Sequence, residues 1–147
     1  MDALPPESPP QWLPIGARWC VDHQQCIDLE VALSPEQKRF GLMQRPALPP
    51  LRGMWFPFSS PKPLSFWMFN TLAPLDMIFV RDGRVHDLTR AVPVCAALPC
   101  RAYSADADGN GEADAVDAVI EIGAGEAERL GIAIGDPVRI DPVKPSD

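Results

Sequence analysis

Long apolar runs are missing from this chain. No stretch approaches the roughly 20 apolar residues that a membrane-spanning helix requires, so a helical span is excluded. Basic residues are too few and too scattered to form a phosphate-binding stripe. Thirteen Lys and Arg against twenty Asp and Glu leave a net charge of −7, which argues against nucleic acid as a partner. Histidine is nearly absent: only His23 and His86 occur, and no Ser-His-Asp or Cys-His set is legible around them. His86 falls on an alternating stretch and is expected at the surface. The opening residues also lack the charged and apolar regions of a signal peptide.

What is present suits one modest domain. The chain has 147 residues, 46% of them hydrophobic, enough for a single core and in the range of ordinary globular proteins. Proline is abundant, with 18 residues. Pro5, Pro6, Pro9, Pro10 and Pro14 crowd the first residues, so 1–16 is expected to be a disordered proline-rich tail and 17–143 a single domain. The remaining prolines argue for short strands joined by loops.

Local signals agree with that reading. Residues 18–32 read as two strands joined by a turn at 22–25. Ser34, Pro35 and Gln37 form a helix start with a capping box, and Gly41 ends that helix. GMWFPF (53–58) and LSFWMF (64–69) are strand-length apolar runs, with SSPKP expected as the loop between them. Asp82-Gly83 is a two-residue hairpin turn between β-rich arms. AVIEIG (118–123) alternates as a half-buried strand should, EAERLG (126–131) is a short helix, and PVRI (137–140) is a last strand. These elements predict a mostly-β fold, a compact single-domain barrel or sandwich with two short helices, expected to be monomeric.

Four cysteines form two close pairs, Cys20 with Cys26 and Cys95 with Cys100. The first pair faces itself across the predicted hairpin, a geometry that allows a disulfide. Buried free thiols and a zinc site are the alternatives, although C-x5-C is loose spacing for zinc. Disulfides imply an oxidising compartment. The expectation is therefore an extracytoplasmic protein, periplasmic or secreted, whose leader is absent from this sequence.

DADGNGEADAVD (106–117) supplies five of the negative charges. Asp106, Asp108, Asn110, Glu112, Asp114 and Asp117 occupy positions 1, 3, 5, 7, 9 and 12 of a calcium loop, with Gly111 at the turn position. The flanking helices of an EF-hand are absent. Such close carboxylates repel one another unless a cation offsets them. The stretch is therefore expected to hold a structural calcium ion at the weak, extracellular end of affinity, about 10⁻⁴ M or above. A plain acidic hairpin tip is the alternative.

Several stretches, taken in order, resemble the domain-of-unknown-function 192 family of bacteria and archaea. They are Gly41-Leu42-Met43 with Arg45, then Gly53-Met54 with Phe56, then the long run from Trp67 to Asp76. The resemblance spans about residues 27–140. It implies a mostly-β single domain, often exported, and carries no established activity. Two departures stand out: Phe69 sits where the family often has lysine, and 106–117 is longer than the family's usual connection.

FWMFNTLAPLD sets apolar faces beside an amide, a hydroxyl and a carboxylate, the mixture found in small-molecule clefts. Trp67, Asn70, Thr71 and Asp76 are candidate ligand contacts. Arg45 is the candidate to neutralise a ligand carboxylate or to hold Asp76. Core packing and turn formation account for the same residues without any ligand. The leading expectation is a binding module for a small ligand of unknown class, with a saccharide as one option. One alternative is a hydrolase or isomerase using Asp76 as base, with Asn70 or Thr71 as oxyanion donor. The other is an envelope interaction module docking through the Trp67 face.

Overall fold

The computed structural model describes residues 9–144. Among the described residues the elements run β1 (Ile15–Cys20), β2 (Cys26–Val31), α1 (Pro35–Phe40), β3 (Arg52–Pro63), β4 (Phe66–Trp67) and β5 (Leu75–Arg81). There follow β6 (Arg84–Val92), β7 (Ala102–Tyr103), β8 (Ala115–Gly123), α2 (Glu126–Leu130) and β9 (Ile140–Pro142). Seven strands make one sheet in the order β6-β5-β8-β3-β2-β1-β9, and β4 pairs with β7 in a small ribbon. The fold is mostly β, as expected, and sandwich-like. The sheet does not close into a barrel. The C-terminal segment reaches both of its edges: the Val85 amide donates to the Asp136 carbonyl and the Val138 amide to the Gly83 carbonyl, while Ile140–Pro142 pairs with β1. Among the described residues no helix is long and apolar enough to cross a membrane.

The sandwich follows from the central strands. Every residue of β5 except Arg81 is buried, and a strand apolar on both faces must be covered on both. Ile78 and Val80 join Ile120, Ile122, Trp19, Ile27 and Leu29 in one core, closed by Ala127 and Leu130 of α2. Met77 and Phe79 turn the other way, into a second core with Met54, Phe56, Met68 and Val119. Leu42 and the residues around the β4–β7 ribbon cover that side.

The β1–β2 hairpin is held at its tip. The Asp22 carboxylate accepts from the Gln24 and Gln25 amides at 2.8 Å each, and Cys20 is bonded to Cys26 beneath it. Cys95 is bonded to Cys100, and no cysteine is free. The thiol and zinc alternatives therefore fall away. Helix α1 begins as its sequence indicates, with the Ser34–Gln37 capping box intact and Pro35 in the first turn.

Two expectations need correction. SSPKP is strand rather than loop: β3 continues to Pro63, and after an irregularity Lys62 and Pro63 pair with Val116 and Ala115 of β8. Pro61 is tolerated there because it falls in the break in register between Pro57 and Lys62, off the ladder. The last strand is Ile140–Pro142, while Pro137 makes only an isolated bridge to Arg84. Pairing with β1 decides this boundary, and the β-propensity of PVRI alone does not.

Gly53 has a packing reason. A Cβ there would meet the Glu121 carbonyl oxygen at 2.6 Å and Ile122 Cγ2 at 2.9 Å. Only glycine lets β3 and β8 approach so closely. Of the expected tail at 1–16, residues 1–8 lie outside the described residues, and Ile15 already belongs to β1. The remainder runs against the body. Gln11 donates its side-chain amide to the Gln37 and Gly41 carbonyls at 2.9 Å each, and the Leu13 amide donates to Glu30 at 2.9 Å.

Candidate functional site

Beside α1 a cleft of about 420 Å³ opens onto the second core. Phe56, Phe66, Trp67 and Met43 form its apolar walls, Lys38, Arg39 and Lys62 stand around it, and Glu121 lies at its base. The cleft is lined by α1 and the Gly41 corner on one side and by β3 and the β4 segment on the other. Phe56 and Phe66 meet edge to face at 5.0 Å, and Trp67 leans on Phe69 at 5.4 Å. Phe69, at the position where lysine was noted as common, is buried beside Trp67.

Glu121 is the unusual group. It stands near the C-terminal end of β8, opposite Met54 on β3 and Met77 on β5, and is only 4% exposed. Among the described residues its carboxyl has no hydrogen-bond or ion-pair partner. Burial disfavours the charged form and raises its pKa from 4.5 to about 8. The carboxyl is therefore mostly protonated at neutral pH, a proton donor set among thioethers and aromatic rings.

Lys38 and Lys62 share the Phe58 ring at the cleft mouth, with their Nζ atoms 3.8 and 5.3 Å from its centroid. Partial burial, and then the Lys62 charge, lower the pKa of Lys38. Among the described residues no carboxylate pairs with Lys38, Arg39 or Lys62.

The five residues picked from the sequence divide. Trp67 and Thr71 line this cleft. Asn70 is buried, at a left-handed φ of 60°, and its carbonyl accepts the Gln44 amide at 2.8 Å. Arg45 meets Glu30 rather than Asp76. Two parallel 2.8 Å bonds join the buried guanidinium and carboxylate, Nη1 also donates to the Gln11 carbonyl at 3.2 Å, and the Trp12 ring stacks at 3.7 Å. Asp76 is fully buried on the opposite face. One oxygen accepts the Ala91 amide at 2.8 Å and the other the Ala127 amide at 2.9 Å, in the first turn of α2.

Asp76 belongs to a wider pattern. Ala91, Leu51 and Asp82 all hold positive φ, near 52°, 61° and 51°, a conformation costly for residues with a Cβ. Each donates its amide to a carboxylate, respectively Asp76, Glu126 and Asp117, at 2.8 to 3.0 Å. Charge-assisted bonds of this kind stabilise the strained backbone. Bonds from Arg129, and then the Leu51 amide, hold Glu126 below the usual carboxylate range.

In the acidic loop, Asp106, Asp108 and Asp114 gather so that one carboxylate oxygen of each lies within 4.8 Å of the others. Asp106 accepts the Asn110 and Gly111 amides, each at 3.0 Å, and Asn110 accepts the Glu112 amide at 2.8 Å. Asp117 lies on β8 and turns to Asp82, away from the three, and Glu112 is exposed. His86 is half-buried rather than on the surface, with Nε2 2.9 Å from Asp114. Hydrogen bonds from Ala107 and His86 lower the Asp114 pKa.

Comparison with known proteins places this geometry. The model of the DUF192 family, described as Uncharacterized ACR, matches residues 18–140. The chain belongs to this family. No curated protein matches it. Two solved structures superpose closely. One, from Sinorhizobium meliloti, is described as a candidate transcription regulator: 26% identity, TM-score 0.68, covering 90% of this chain and 97% of that one. The other, from Novosphingobium aromaticivorans, is described as a protein of unknown function: 29% identity, TM-score 0.69, covering 90% and 94%. The DUF192 signature residues Gly53 and Asp76 thus have structural explanations in this chain, a close strand approach and a double backbone cap. Met43 and Trp67 face the cleft.

Glu121 was not foreseen from the sequence. AVIEIG reads as a half-buried strand with Val119 and Glu121 on its wet side. In the fold that side is covered by the second core. The remaining signal is Val119 itself, an apolar residue on the same face as the glutamate.

Proposed function

We propose that this DUF192 chain is a small-ligand binding module and that the cleft beside α1 is its site. One observation carries the reading: the unpartnered Glu121 carboxyl at the base of an apolar cleft. Burying a carboxyl without hydrogen bonds is costly, so a group kept there against stability points to a role in contact with something else. Trp67 and Thr71 are retained as ligand contacts, while Arg45, Asn70 and Asp76 lie outside the cleft lining. The enzyme alternative loses its base, because both oxygens of Asp76 are occupied by backbone amides away from the cleft. The regulator description of one relative is not taken over, since a net charge of −7 opposes binding to DNA phosphates.

Two disulfides support an extracytoplasmic home. The gathering of Asp106, Asp108 and Asp114 supports a weak structural calcium site in the loop, narrower than the six-residue set expected from the sequence.

The binding reading is tested with Glu121→Met and a small-molecule melt-shift screen. The variant is expected to melt higher than the parent at pH 8 and to lose compounds that stabilise the parent. If Glu121→Met instead melts lower, the carboxyl is structural and the reading fails.

A further inference from the structure

We infer that the ligand is an amphipathic anion, its apolar body between Phe56, Phe66 and Trp67 and its anionic head at Lys38 and Lys62. The inference rests on the binding reading above and adds the ligand's chemical class. It comes from the mouth of the cleft rather than from its base. Two ammonium groups converge on the Phe58 ring, with Arg39 beside them, in a chain whose net charge is −7. Like charges placed together without a counterion raise one another's energy, and a bound anion relieves this. A cationic ligand would meet the same repulsion at the entrance, and a neutral saccharide would leave the cations unused.

The base of the cleft agrees with this polarity. A protonated Glu121 adds no negative charge and donates a hydrogen bond to an acceptor at the ligand's buried end. An ionised Glu121 would repel the anion. The charged groups facing the cleft are Lys38 and Arg39 from α1, Lys62 from β3 and Glu121 from β8. Glu121, with its pKa raised to about 8, gains its negative charge across this neutral-to-alkaline range. Affinity for an anion is therefore expected to fall between pH 7 and 9, and the part of that fall due to Glu121 disappears in Glu121→Gln.

The test uses two fluorescent probes with the same aromatic body on the full-length, oxidised chain. One is anilinonaphthalene sulfonate, an anion; the other is N-phenyl-1-naphthylamine, which lacks the sulfonate. Thr71→Trp fills the cleft and reports whether a signal comes from it. Circular dichroism checks that each variant keeps its fold.

The expected result is cleft binding of the sulfonate about tenfold tighter than the amine, with the preference lost in Lys38→Met/Lys62→Met. The amine's own affinity should be little changed in that double variant. Equal or tighter binding of the neutral probe, abolished by Thr71→Trp, would overturn the anion inference and leave the binding module standing. So would a preference that survives the double lysine variant. Fluorescence unchanged by Thr71→Trp would overturn the cleft reading itself.

Discussion

The two faces of the central sheet bury their carboxyl groups on opposite terms. On the α2 side Asp76 is fully buried and each of its oxygens receives a backbone amide. On the cleft side Glu121 is almost as buried and has no partner among the described residues. The first carboxylate stabilises the fold by satisfying a strained turn and a helix start. The second lines the cleft, and burial there disfavours its charged form. Burial alone therefore says little about what a charged residue does; its hydrogen bonds decide.

Removing a satisfied partner should produce the largest effect. Arg45→Met leaves the Glu30 carboxylate buried without its guanidinium, and denaturant unfolding should show a loss of about 3–5 kcal/mol. Replacing both residues by apolar ones should recover most of it. Asp76→Ala strands two backbone amides, the buried one of Ala127 and that of the positive-φ Ala91, and is expected to cost about 2–4 kcal/mol in the same assay. A loss below about 1 kcal/mol in Asp76→Ala would erase the contrast with Glu121.

Changes at Glu121 should act in the opposite direction and depend on pH. Its folded-state pKa, about 8, lies above the ordinary 4.5, so between these values the native protein holds a proton that the unfolded chain has released. Its contribution to stability is greatest below pH 4.5 and declines until about pH 8. The whole decline is at most roughly 5 kcal/mol. Glu121→Gln should flatten that part of the stability–pH curve and melt above the parent at pH 8. An unchanged curve would mean that the carboxyl ionises freely inside the cleft.

Smaller effects belong to the periphery. Opening the Cys20–Cys26 loop by a double alanine substitution should cost about 2 kcal/mol, given how short the closed loop is. The acidic loop offers a third case, partly exposed carboxylates close together. Millimolar calcium is expected to raise Tm by a few degrees in the parent and not in Asp106→Ala. No shift would leave 106–117 as a solvated hairpin tip, held by its own amides.

Much of the fold is legible in the chain itself. The Ser34 capping box, the Asp82-Gly83 hairpin, the Cys20–Cys26 pairing and the closing helix at 126–130 are local events. Each is decided by residues within a few positions of one another, so propensity and turn chemistry suffice. The extent of β3 through SSPKP and the place of β9 were not legible, because each depends on a partner strand far away in sequence.

The site divides in the same way. The Trp67–Asp76 run stands out in the sequence, yet its members serve different structures: Trp67 and Thr71 a cleft, Asn70 a backbone turn, Asp76 the cap of a helix fifty residues on. In the sequence Arg45 is the candidate to neutralise a ligand carboxylate or to hold Asp76; the fold pairs it with Glu30 instead, because β2 packs against the 41–45 corner. The sequence by itself determined the hairpins and the Ser34 helix cap, and it brought each cysteine pair close while leaving disulfide, thiol and zinc open, since these groups are neighbours along the chain. Only the tertiary structure decided that Glu121 is buried on the side of the second core, between Met54 and Met77, in a cleft that Lys38 and Lys62 also line. Which face of a strand stays wet is settled by what packs over it, and that cover comes from elsewhere in the chain.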